Sequence, residues 1–252
     1  MSPASGNAAT HFVDRHGAEG RGSKIAFREV GTGRSLTYDA LRLGAERVAG
    51  ALTRAGIGRE ERAAMVVLDG LEFPRIFWGA LKAGVLAAPI NTLLSSALYD
   101  AILRDSRATC LFVSSALWPT LAPAAKDNPH LRCVVAIGDP APEGTISFEA
   151  FLDGATPRGT LDVQEDEPAF WLYSSGSTGQ PKGVRHVHGA LRATADTFGA
   201  RVLGIREDDV VFSAAKLFFA YGLGNSMTFP LAVGATTALL AARPTPAVVD
   251  AA

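Results

Sequence analysis

Residues 171–188 read WLYSSGSTGQPKGVRHVH. Two apolar, strand-like runs, AFWLYSS (169–175) and GVRHVH (183–188), bracket a turn of glycines and hydroxyls that ends in one lysine. Gly176 and Gly179 let successive backbone N–H groups converge on a concave anion site. Ser174, Ser175, Ser177 and Thr178 add hydroxyl donors, and Lys182 adds a compact positive charge suited to phosphate oxygens. Pro181 stiffens the turn just before that lysine. The combination suits a polyphosphate. A polar hairpin connection draws on the same residue types, but the whole run from Tyr173 to Gly183 is denser than such a connection requires.

Other glycine motifs fail on spacing. A P-loop needs Gly-Lys-Ser/Thr, whereas Lys182 lies between Pro181 and Gly183. A dinucleotide turn needs a third glycine where GLGNSM has Met227 and GTGRSL has Leu36. A nucleophile elbow needs glycine two residues before the serine, and Ser175 holds that place before Ser177. A Ser-Ser-Lys amidase, with Lys24, Lys82 or Lys126 as the base, stays open as a minor alternative, although those lysines sit in ordinary helix, loop or strand-start contexts.

Outward from the loop, strand-like and helix-like segments alternate. KIAFREV reads as a strand, and the helix that follows places Leu41, Ala45, Val48 and Leu52 on one face, with Gly56 as its stop. AAMVVL, VLAAPI, TCLFV and CVVAI are buried strands, and EFPRIFWGALKAG is a helix ending at Gly84, with Phe77 and Trp78 at core spacing. Gly, Pro and acidic residues cluster between 138 and 168. After the loop, Leu191, Thr194, Phe198 and Val202 share a helical face, and VVFSA and ATTALLA are strands. Alternation of this kind implies crossover units and a mostly parallel α/β sheet.

Composition limits the function classes. Hydrophobic residues make up 48% and charged residues 19%, a globular balance, and the formal net charge of −1 gives no basis for binding nucleic acid or an anionic membrane. No basic n-region precedes an apolar core at the N-terminus. The uncharged stretch 217–242 is long enough to span a bilayer, but Asn225, Pro230 and three glycines break it into shorter elements, so no membrane span is expected. Cys110 and Cys133 lie in strand-like runs where a disulfide is geometrically possible; free thiols in a reducing, cytoplasmic compartment are the reading adopted.

The run YSSGSTGQPKG resembles the phosphate-binding signature of the adenylate-forming superfamily of acyl-CoA synthetases, luciferases and adenylation domains. LTYDAL (36–41) and LKAGVLAAPIN (81–91) are similar to the family's earlier elements, in the same order. KLFFAYGLGNSMTFPL (216–231) most resembles benzoate-CoA ligase and related aryl-CoA ligases. Periodicity alone would make that stretch a core helix. The resemblance implies instead that Phe219, Ala220, Tyr221 and Gly222 line an aromatic acid pocket. It implies that Ser174, Ser175, Gly176, Ser177, Thr178, Gly179 and Lys182 bind ATP and the leaving pyrophosphate, with Mg²⁺. The activity implied is attack of an aromatic carboxylate on ATP to give acyl-AMP, followed by transfer to coenzyme A. The fold implied is an adenylate-forming N-terminal domain of two packed, mostly parallel sheets flanked by helices, divided into subdomains 1–165 and 166–252.

The family's later adenine motif with its glutamate, its ribose-binding aspartate and its C-terminal lysine have no match here. No residue of this chain is therefore assigned a catalytic role. The chain is expected to be truncated, without the mobile C-terminal domain and without efficient ligase activity alone; a non-catalytic nucleotide-binding remnant is the other reading. His186 and His188 would point the same way from one strand, but no cysteine or acidic cluster accompanies them, and no metal site is assigned. His11 and His16 lie in a polar N-terminal region and are given no role. Asp208 and Asp209 are read as a turn. Lys216 is read either as lying near the substrate or coenzyme A path or as a surface lysine.

Overall fold

Alternation of apolar residues on the central strands decides how the layers stack. Ala63 and Met65 of β3 (Arg62–Val66), with Cys110 and Phe112 of β5 (Cys110–Ser114), enter one apolar cluster, while Ala64, Val66, Leu111 and Val113 enter a second on the opposite face. A strand with both faces buried reads as a continuous apolar run, as these do. The structure is a computed structural model and describes residues 5–175, 181–246 and 249.

The N-terminal segment is helical over residues 8–18, ending in α1 (Arg15–Ala18). β1 (Ile25–Glu29) and β2 (Ser35–Thr37) form an antiparallel pair, and α2 (Tyr38–Arg54) follows, capped by the Thr37 hydroxyl accepting from Ala40 N. After β3 come α3 (Glu72–Lys82), β4 (Leu86–Pro89) and α4 (Ser96–Ser106), then β5, α5 (Trp118–Lys126) and β6 (Cys133–Ile137). β7 (Ile146–Ser147) and α6 (Phe148–Leu152) lead through a long connection to β8 (Pro168–Ser175) and β9 (Pro181–Val187). The last elements are α7 (His188–Thr194), β10 (Val210–Phe212), α8 (Ala220–Leu223), α9 (Phe229–Val233) and β11 (Thr236–Leu239).

Two sheets result. The larger has the order β7-β6-β5-β3-β4-β8-β9, parallel except for the final hairpin; the smaller has β10-β11-β1-β2, parallel except for β1–β2. The sheets interleave along the chain. β1 pairs with β11 across some 210 residues, and β8 and β9 join strands that precede residue 165. α2 and α3 share the main cluster with both sheets, joining Leu41, Ala45, Val48 and Leu52 to Phe73, Ile76, Phe77 and Trp78. Phe27 and Leu239 come from the smaller sheet, Met65 and Phe112 from the larger. The expected helix stops Gly56 and Gly84 take positive φ, 72° and 74°.

One face differs from its sequence reading. Beyond α7 the helix widens into π-type turns over Ala195–Leu203, and the buried positions after His188 are Leu191, Ala195 and Gly199. Thr194 is exposed, as are Phe198 (41%) and Val202 (68%). Wider winding brings every fourth residue back to the same side, and the contact is set by Phe229, whose ring lies where a side chain at Gly199 would project. Among the described residues, no helix is long and apolar enough to cross a membrane.

Candidate active site

The hairpin that carries the glycine-serine loop stands at the edge of the larger sheet. Ser174 pairs with Lys182 and Ser175 with Pro181, the last rungs before the turn. Gly176, Ser177, Thr178 and Gly179 of the expected phosphate set lie outside the described residues. β8 runs parallel to β4, with Phe170 opposite Ala87, so the hairpin turn opens at the carboxyl ends of the parallel strands. Ligands of open α/β sheets bind at that end. Ser174 and Lys182 are both exposed there. Tyr173 fixes the hairpin from below, donating its hydroxyl hydrogen to Asp105 Oδ2 of α4 at 2.6 Å. Burial, with that carboxylate, pushes the phenol above its usual range, so it stays a donor.

Beside Ser174 lies an apolar cavity of about 540 Å³ between the hairpin, α4 and the start of α8. Phe219 and Ala220 line it, as do Phe218, Leu172, Asn91 and His186. Two of the four expected acyl-pocket residues therefore share a cavity with one expected phosphate-binding residue. Tyr221 is 65% exposed and outside this cavity. Gly222 is buried and also outside it, pressed against the Lys216 carbonyl.

The wall carrying these residues is anchored by a buried carboxylate. Asp69, just beyond β3, accepts from Leu217 N at 3.2 Å, and Lys216 Nζ stands 4.0 Å from its other oxygen. Burial raises the Asp69 carboxyl to about 6, opposed by the Lys216 charge and the Leu217 N–H. Lys216 Nζ also donates to the carbonyls of Leu240, Ala241 (3.3 Å) and Ala242 (2.7 Å) at the end of β11. Both of its sequence readings left this bracing role out. Lys216 ties the pocket wall to the smaller sheet.

A family model described as AMP-binding enzyme matches residues 14–251. The chain belongs to the AMP-binding enzyme family. It is 49% identical over 243 residues to a 4-hydroxybenzoate–CoA/benzoate–CoA ligase of Rhodopseudomonas palustris, covering 95% of this chain and 44% of that protein. It is 46% identical to a benzoate–CoA ligase of Thauera aromatica, covering 96% and 46% respectively. Among solved structures, a benzoate CoA ligase from Burkholderia xenovorans LB400 superposes with a TM-score of 0.88 at 41% identity, covering 97% of this chain and 47% of that one. The chain thus spans about half the length of the curated relatives it matches.

The fold corrects the histidine reading. β9 ends at Val187, so His188 opens α7 instead of continuing the strand, and the two rings do not form a same-face pair. His186 stacks on Phe170 at 4.6 Å, and buried His188 accepts from Ala8 N through Nδ1 at 3.1 Å. His16, read as a polar-region residue, is wholly buried, packs on Tyr38, and accepts from Arg21 Nε at 3.0 Å. The missed signal is the apolar pair Phe12 and Val13, both buried, which mark the N-terminal segment as a packed helix. Asn91 is a cavity residue that sequence reasoning did not single out, and His186 lines the same cavity although it was weighed only as a metal ligand. Among the described residues, no three His, Cys, Asp or Glu side chains come together to hold a metal.

These histidines give a pH dependence. Burial lowers His188 from 6.5 to about 4 and His16 to about 3, so the folded chain keeps both neutral. Unfolded imidazoles take up protons near pH 6.5. Between there and about pH 4 the unfolded state binds more protons, so stability that is complete above pH 6.5 falls with acidification. For His188 the loss by pH 5 is on the order of 2 kcal/mol. Urea unfolding at pH 7 and pH 5 measures it. His188→Asn, which keeps an acceptor for Ala8 N, should flatten the slope by that amount, and an unchanged slope would assign the acid sensitivity elsewhere.

Proposed function

We propose that this chain supplies the pyrophosphate-binding hairpin and one wall of the acyl pocket in an AMP-forming aryl-CoA ligase that activates benzoate or a hydroxybenzoate. The observation that carries the reading is the continuity of Ser174 with the cavity lined by Phe219 and Ala220. An aromatic ring in that apolar cavity leaves its carboxylate directed at the mouth of the hairpin. The relatives that match this chain at 46–49% identity are named for benzoate and 4-hydroxybenzoate, and a related solved structure is an anthranilate CoA ligase with anthranoyl-AMP, at 33% identity and a TM-score of 0.89.

In this reading the carboxylate attacks the α-phosphorus of ATP, pyrophosphate leaves, and the coenzyme A thiol then displaces AMP from the acyl carbon. Such a transfer is accelerated by positioning and by charge stabilisation on the leaving group. Lys182 and the hydroxyls and N–H groups of 174–179 hold the β- and γ-phosphates, while Asp69 and Lys216 keep the wall at its distance from the hairpin. Mg²⁺ is the counter-ion of ATP, and none of the described residues is assigned to it. ATP, coenzyme A and two unpaired thiols suit the cytoplasm.

The test is carboxylate-dependent exchange of labelled pyrophosphate into ATP, using the complete gene product that carries this chain. Exchange with benzoate or 4-hydroxybenzoate and little with fatty acids is expected; absence of exchange with every aryl carboxylate tried sinks the reading. Lys182→Ala should raise the KM for ATP about ten- to a hundredfold, since a charge-assisted hydrogen bond contributes about 1.5–3 kcal/mol. Lys182 is exposed, so melting temperature should not move. An unchanged KM would remove it from the phosphate site.

A further inference from the structure

The chain has two cysteines, and the fold sets them side by side. Cys110 opens β5, Cys133 opens β6, and they are register partners in the parallel ladder. Both are free thiols, with their sulfurs in hydrogen-bonding contact at 3.2 Å. Adjacent strands lie about 4.8 Å apart, inside the roughly 4.4–6.8 Å Cα window of disulfides. Closing the bond to about 2.05 Å asks for about 1 Å of sulfur travel, which side-chain rotation supplies without moving the strands.

Their surroundings differ. Cys110 is wholly buried. Cys133 is only partly buried, and its side chain packs on the sheet face of Cys110 and Phe112. β7 pairs only with Val135 and Ala136 of β6, which leaves the outer side of the ladder at Cys133 open to a molecule as small as a hydroperoxide. The contact with Cys110, helped by the Arg132 guanidinium, holds the Cys133 thiol below its usual range, whereas burial pushes Cys110 up. A peroxide-reactive sulfur needs access and thiolate character, and a resolving sulfur needs only to be near. The fold divides these requirements between the two residues.

We propose that Cys133 and Cys110 form a reversible oxidation site, in which a hydroperoxide oxidises Cys133 and Cys110 resolves the product into a cross-strand disulfide. The Cys133 thiolate attacks one peroxide oxygen, the O–O bond breaks, and a sulfenic acid and hydroxide form. Cys110 sulfur then attacks the Cys133 sulfur, the S–O bond breaks, and the thiol hydrogen leaves with that oxygen as water. Two thiols have lost two electrons, and hydrogen peroxide is reduced to two waters. The site lies at the amino ends of β5 and β6, opposite the hairpin turn, and is independent of the ligase reading.

The reduced full chain is treated with a small excess of hydrogen peroxide, quenched, and assayed for thiols in denaturant, by intact mass and on a non-reducing gel. Titratable thiols should fall from two to none, the mass should drop by two hydrogen atoms, the chain should stay monomeric, and dithiothreitol should restore both thiols. At the same dose Cys133→Ala should leave Cys110 titratable, and Cys110→Ser should let dimedone label Cys133. Two surviving thiols, an interchain dimer, or sulfinic acid at Cys133 beside a free Cys110 would each overturn the proposal. Oxidation of Cys110 in Cys133→Ala at the wild-type rate would overturn the assigned order.

Discussion

Asp14→Ala should lower the unfolding free energy by about 3 kcal/mol, far more than a partly exposed acid normally contributes. The reason is its partner. Lys82 is 1% exposed, and its ammonium group contacts Asp14 Oδ1 and donates to Thr160 Oγ1 at 2.8 Å. Thr160 in turn donates to the second Asp14 oxygen at 2.5 Å. Removing the acid leaves a buried cation, for which the cost runs to about 3–5 kcal/mol. The low end applies because Glu46 remains 3.9 Å away and a quarter of the Asp14 side chain already meets solvent. Replacing both ends with apolar groups, Asp14→Leu with Lys82→Met, removes the stranded charge and should recover most of the loss, since buried pairs gain little over well-packed hydrophobes. Urea unfolding of the three proteins at one pH separates these cases. A single-variant loss under about 1 kcal/mol would mean that water or Glu46 already satisfies Lys82.

The same lysine shows where sequence reading stops. Within LKAGVLAAPIN, Lys82 reads as an ordinary residue in the last turn of α3, and only the fold brings Asp14 and Thr160 to it, from 68 and 78 residues away. Features set by local period were legible: Leu41, Ala45, Val48 and Leu52 of α2 are all buried, and the helices stop at Gly56 and Gly84. The hairpin was legible because glycine, proline and hydroxyl placement is local chemistry. Pairing of β1 with β11 was not, because nothing in either strand marks its partner. The buried face of the helix after β9 was misplaced because a 3.6-residue period was assumed where the turns are wider. For the site, the residue types were readable, but their juxtaposition was not. Asn91 meets the hairpin, Asp69 meets the pocket wall, and Lys216 meets the end of β11 only through long-range packing.

Gly222→Ala should damage the acyl wall more than any change to an exposed residue in it. A methyl group at 222 would lie 2.0 Å from the Lys216 carbonyl oxygen and 2.5 Å from its carbon, both backbone atoms. Lys216 cannot step aside, because its side chain is tied to the end of β11 and Leu217 N is tied to Asp69. Nor can the start of α8 move freely, since Leu223 N bonds Phe219 O at 2.8 Å and Phe219 N bonds Lys216 O at 3.0 Å. Relief therefore requires about an ångström of backbone displacement in 219–223, at a cost of about 1–3 kcal/mol in stability. That shift moves Phe219 and Ala220 relative to Ser174, and misplacement on this scale can lower a rate about 100-fold. In the complete gene product, pyrophosphate exchange should show a KM for the aryl carboxylate raised at least about tenfold, with the KM for ATP nearly unchanged because the hairpin is untouched. Parallel increases in both constants would mean general loosening of the fold. A carboxylate KM within twofold of wild type would show that this turn does not set the distance between the acyl wall and the phosphate hairpin.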